Sequence, residues 1–107
     1  MERMVREEGP AALMEYCIKH PNAMQDGCEI LQWEIDNRYH SGNRIRDEGE
    51  VLLFIAMMSE EPGLGRWACR ELAELGERKK IGLVADKAAS PEVSQYARDF
   101  SAYGQRT

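Results

Sequence analysis

Arg6-Glu7-Glu8-Gly9 recurs forty residues later as Arg46-Asp47-Glu48-Gly49, and this recurrence decides how the chain folds. A period of that length marks a repeat architecture, in which each unit buries its apolar face only against its neighbours. An apolar run follows each copy, Ala11-Ala12-Leu13-Met14-Glu15-Tyr16-Cys17-Ile18 in the first and Val51-Leu52-Leu53-Phe54-Ile55-Ala56-Met57-Met58 in the second. Each run stops shortly before a proline, Pro21 or Pro62. Beyond the prolines, apolar residues step at helical spacing: Met24, Cys28, Leu31 and Ile35 in one copy, Leu64, Ala68, Leu72 and Leu75 in the other. Cys28 and Cys69 occupy equivalent places.

Outward from this core pattern, Asn43-Arg44-Ile45 reads as a polar link into the second copy, and Arg78-Lys79-Lys80-Ile81 as the link into a third. The third copy is short: a brief helical stretch from Gly82 to Ala89, a break at Ser90-Pro91, then a stripe of Val93, Tyr96, Phe100 and Tyr103. The repeat units are a partial one over about residues 1–8, then 9–46 and 47–81, and a degenerate terminal one over 82–104. Proline inside a helix loses a hydrogen bond and clashes with the preceding turn, so Pro21, Pro62 and Pro91 are expected to begin helices, with Ser90 as an N-cap. Gly9 and Gly49, each after an acidic stretch, are expected to end one helix through positive φ and turn the chain into the next.

Composition agrees with helix throughout. Ala, Leu, Glu, Lys, Arg, Met and Gln supply 57 of 107 residues, against 11 for Val, Ile and Thr together, which argues against a sandwich or barrel. With 43% hydrophobic and 31% charged residues, the chain can bury one core and cover it, and its length leaves room for a single domain. The net charge of −5 is spread without long blocks of one sign, so neither nucleic acid nor an anionic membrane is expected as a partner. No apolar run approaches the roughly 20 residues of a membrane span, and no signal sequence is evident, which points to the cytoplasm or nucleus.

A forty-residue period, an acidic-Gly turn before an apolar helix, a Cys-x-x-Leu third helix and an Asn-Arg-Ile link together resemble armadillo repeats, with HEAT repeats as near neighbours. The resemblance spans about Met4 to Tyr103. It implies an all-α, right-handed α-solenoid fragment of about two and a half repeats, whose third helices line a concave groove that binds extended peptides or other proteins. Where the family often carries an asparagine two residues after the third-helix leucine, this chain has Trp33 and Glu74. The resemblance therefore does not extend to an asparagine ladder that clasps a basic import signal.

Residues with reactive chemistry are few. Cys17, His20, Cys28 and His40 offer thiolate and imidazole donors, so the alternative function is a small helical metal-dependent regulator or a thiol enzyme built on Cys17, His20 and Cys28. The spacing lacks the paired short intervals of structural zinc sites, no third orienting group is evident, and cysteines on apolar helix faces are by default core. No enzyme activity, metal or cofactor is expected. Arg78-Lys79-Lys80 and Arg44-x-Arg46 read as solvated links after helix C-termini, and Glu7-Glu8 and Glu60-Glu61 as solvent-facing.

The expected interaction surface lies on the third helices. With Cys28, Leu31 and Ile35 turned inward, the stripe of Asp26, Ile30, Trp33 and Asn37 points away from the core, matched by Trp67, Arg70, Glu74 and Arg78. Matching Phe100 to Leu72 adds Gln95, Arg98 and Ala102, whereas matching Pro91 to Pro62 shifts the last helix by one residue. Tryptophan and arginine dominate binding hot spots, which makes Trp33, Trp67, Arg70, Glu74 and Arg98 the expected partner-binding row. The competing role for the tryptophans is packing between repeats. Leu13, Leu31, Phe54, Cys69 and Leu72 are expected in the core. The apolar circumference of the first helix, Ala11 to Ile18, is expected to pair with a second copy of the chain or to pack on preceding repeats.

Overall fold

The computed structural model describes the backbone of residues 8–41 and 48–104, and side chains within 8–37 and 48–100. Six α-helices and no strand occur among the described residues: α1 (Pro10–Lys19), α2 (Met24–Ser41), α3 (Glu48–Met58), α4 (Pro62–Glu74), α5 (Arg78–Lys87) and α6 (Pro91–Gly104). They form three hairpins, and each hairpin turn contains one of the three prolines singled out above. Pro62 and Pro91 open α4 and α6, and Pro21 opens a 3-10 turn, Pro21–Ala23, that runs into α2. Proline's missing N–H is harmless there because the first helical turn has no acceptor for it. Gly9, at φ 94°, breaks the chain before α1 as expected.

The ends of the helices show how local chemistry stops them. At the end of α1 the Tyr16 carbonyl accepts the His20 backbone N–H at 2.9 Å, and the His20 Nδ1 lies 3.0 Å from the same oxygen. The imidazole stacks on the Tyr16 ring with centroids 4.2 Å apart, and the backbone leaves the helical region at His20, ahead of Pro21. At the end of α4, Gly76 at φ 77° allows Glu77 N–H to reach the Leu72 carbonyl and Gly76 N–H the Ala73 carbonyl, both at 3.0 Å. This is a Schellman motif, and it places a sharp turn where the sequence pattern indicated only a link.

Two expectations fail here. Gly49 does not turn the chain: it lies inside α3, with Glu48 already helical, because burial of Val51, Leu52, Ile55 and Ala56 carries the helix through a glycine that disfavours it by only about 1 kcal/mol. Arg78-Lys79-Lys80-Ile81 is not a link: it forms the first turn of α5, where the charge of Lys80 is met by Glu77 Oε2 at 2.8 Å and Glu50 Oε1 at 3.5 Å. A β-carbon at Gly49 would lie 3.5 Å from both Glu77 and Lys80, so the bare backbone of α3 is where this pair rests. The Asn43-Arg44-Ile45 link, Arg6-Glu7, Arg46-Asp47 and the side chains of His40, Ala102 and Tyr103 lie outside the described residues.

Substantial packing joins helices one or two apart in the chain, with α3 in contact with α1, α2, α4 and α5. The Cα envelope of 42 × 32 × 19 Å is about two helix diameters thick. A continuous core runs through all six helices. Leu13, Leu31, Cys69 and Leu72 are fully buried as expected, whereas Phe54 is only half-buried at its margin. Glycines set the closest approaches. A β-carbon at Gly27 would overlap the Cys17 sulfur, which brings α2 onto α1, and one at Gly65 would come within 2.5 Å of Val93 Cγ2, which brings α4 onto α6.

Candidate functional site

The second helices of the hairpins, α2, α4 and α6, carry every residue of the expected binding row. On α4, Trp67, Arg70 and Glu74 occur at spacings of three and four, so they share a stripe that turns from the core margin into solvent. Trp67 is half-buried against the core, while Arg70 and Glu74 are exposed. On α2, Trp33 is 51% exposed. That figure removes Trp33 from packing between hairpins within the described residues and assigns the packing role in part to Trp67.

The register of α6 follows its proline. Val93 and Ala97 are fully buried, as are Leu64 and Ala68 to within 5%, twenty-nine residues earlier. Tyr96 then corresponds to Trp67 and Asp99 to Arg70, while the exposed Arg98 corresponds to the buried Cys69. Arg98 therefore lies one helical step aside from the row, and the described α6 residues that continue it are Tyr96 and Asp99. The other stripe member, Arg78, is not on α4 at all: it opens α5.

At the end of α2 and α4 remote from the proline turns, four carboxylates from three helices come together. Glu71 on α4 is held above the usual carboxylate range, first by burial and then by Glu74, Glu48 and Asp36, with Arg70 opposing. Glu48, in the first turn of α3, is 7% exposed. The sequence row contained only Glu74 of these four. Asp36, Glu48 and Glu71 belong to no common motif or spacing, and helix packing alone unites them.

The thiols lie on the other side of the chemistry. Cys17, Cys28 and Cys69 are free and fully buried. Burial raises Cys17, pushes Cys28 up to about 12 with smaller contributions from Cys17, Glu29 and Glu60, and pushes Cys69 up to about 11. A nucleophilic thiol needs the opposite shift and an open approach. His20, the imidazole paired with these thiols in the alternative function, is exposed and turned back onto Tyr16. Among the described residues no group of three or more His, Cys, Asp and Glu side chains is arranged to hold a metal ion.

No described helix is long and apolar enough to cross a membrane. No family model matches the chain, and no curated protein and no solved structure resembles it significantly.

Proposed function

We propose that the protein is a non-catalytic interaction module, a short armadillo-like solenoid that binds an extended peptide or protein partner along the faces of its second helices. The observation that carries this reading is Trp33: a tryptophan 51% exposed on a helix whose opposite face is fully buried. A large aromatic left half in water, in a row with Arg70 and Glu74, has the composition of a hot spot awaiting a partner. The packing supports the solenoid part, because substantial contact confined to helices one or two apart in the chain is what stacked repeats produce. In this reading Trp67 forms the floor, Arg70 and Glu74 supply charges of both signs, Tyr96 and Asp99 continue the face on α6, and Arg98 lies one helical step aside.

The test is selection from a displayed library of extended ten-residue peptides on the purified chain, followed by titration of the selected peptides. Trp33→Ala combined with Arg70→Glu is expected to weaken binding at least tenfold while the melting temperature stays within a few degrees. A folded double variant that binds as tightly as the parent overturns the assignment of this face.

A further inference from the structure

We propose that copies of the protein join head to tail, with the exposed stripe of α1 in one copy seated against the exposed stripe of α5 in the next. The partner is a second copy of this chain, and the contact is independent of the face on the second helices. Its basis is a difference among the first helices of the three hairpins. α1 and α5 both pack on α3 and make no substantial contact with each other, so α3 lies between them. Covered from both sides, α3 leaves only Glu50 exposed. α1 instead exposes the stripe Ala11, Glu15, Ile18 and Lys19, and α5 the stripe Lys79, Leu83, Asp86 and Lys87. Each stripe lies across the helix axis from the buried positions, Leu13 and Cys17 in α1 and Ile81, Val84 and Ala85 in α5.

The two stripes match in spacing and in charge. Both step by four, three and one residues, and each holds one large aliphatic side chain in water, Ile18 at 58% and Leu83 at 41% exposed. Among the described residues the middle hairpin exposes no large hydrophobic side chain at all. Three hairpins in series leave the first helices running the same way, so a stacked copy presents its α5 parallel to α1. Taken in order along the two helices, Glu15, Ile18 and Lys19 then meet Lys79, Leu83 and Asp86, which sets each charge against its opposite and the aliphatic side chains against each other. The ends complement one another as wholes too: residues 8–41 carry six acids against two bases, net −4, and residues 78–104 carry five bases against three acids, net +2. Pairing two α1 stripes would bring two ends of net −4 together. Because the two copies contribute different surfaces, the contact leaves a free stripe at each end and extends to a third copy. The stripes are short, which places the contact in the weak class that buries less than about 1,200 Å².

The experiment is sedimentation velocity on the full chain at up to about 1 mM, where a weak contact is populated. The parent is expected to form species larger than a dimer as its concentration rises. Ile18→Lys blocks the α1 stripe and Leu83→Lys the α5 stripe, both at exposed positions, and circular dichroism confirms that each variant is helical. Each variant alone should be monomeric. Their equimolar mixture should form a 1:1 dimer and nothing larger, because one partner retains α5 and the other α1. Glu15→Lys should weaken association about fivefold, and adding Lys79→Glu to the same chain should restore it to within about twofold, since the exchanged charges meet across the contact. A parent that stays monomeric overturns the proposal, as does a mixture of the two blocked variants that stays monomeric. Leu83→Lys that still dimerises while Ile18→Lys does not shows two α1 stripes pairing and overturns it as well, and so does a double charge exchange that fails to restore association.

Discussion

The two edges of the molecule are built on different chemistry. At the edge of the proline turns, neighbouring hairpins are tied together by hydrogen bonds: Gln25 Oε1 accepts the Glu60 N–H at 2.8 Å and the Ser59 hydroxyl at 3.2 Å, and Ala89 N–H donates to the Met57 carbonyl at 2.9 Å. At the opposite edge, Glu74, Glu48 and Asp36 act on the Glu71 carboxyl, and Arg70 opposes them. The first edge fixes the stacking of the hairpins. The second brings like charges from three helices together, which works against stability.

The largest effect should come from the core beneath the acidic edge. Leu72 is fully buried in the last turns of α4, so Leu72→Ala is expected to destabilise the protein by about 2–5 kcal/mol in urea unfolding. A near-neutral result would mean that this edge is loosely packed as well as poorly paired, and the contrast would be one of packing. Next comes Gly65 near the proline-turn edge. Gly65→Ala puts a methyl against the stiff Val93 side chain, and a loss of about 1–3 kcal/mol is expected as α4 and α6 are forced apart. Full tolerance would show that this edge yields more readily than its hydrogen bonds imply.

Smaller effects separate the two edges more cleanly. Gln25→Ala removes the acceptor shared by Ser59 and Glu60 and should destabilise by about 1 kcal/mol, with faster hydrogen exchange at the Glu60 amide. Gln25 Nε2 is itself buried without a partner, which limits the net loss. Glu71→Gln should do the reverse and raise the melting temperature slightly at pH 7. Glu71 titrates above its ordinary value of 4.5 in the folded state, so its ionised form opposes folding. That penalty is complete above the folded pKa, falls as pH drops through it, and vanishes below the unfolded value. The gain from Glu71→Gln should therefore disappear in thermal melts below about pH 4. A gain that persists there would assign the effect to packing instead of charge.

Sequence pattern alone determined the helical class, the three proline-initiated second helices and most of the core, because these follow from propensity and from 3.6-residue periodicity within single helices. Leu13, Cys28, Leu31, Ala68 and Leu72 were legible for that reason. Trp33 was legible as a stripe residue, but its exposure was not, since a helix face pointing away from one neighbour can still be covered by another. Tertiary structure decided the rest. It carried α3 through Gly49 where the glycine pattern indicated a turn, started α5 at Arg78, and set the register of α6 so that Arg98 stepped out of the row. It also gathered Asp36, Glu48 and Glu71 from three helices. Periodicity reports which face of a helix is apolar, whereas only packing fixes which charged faces of different helices come to share one space.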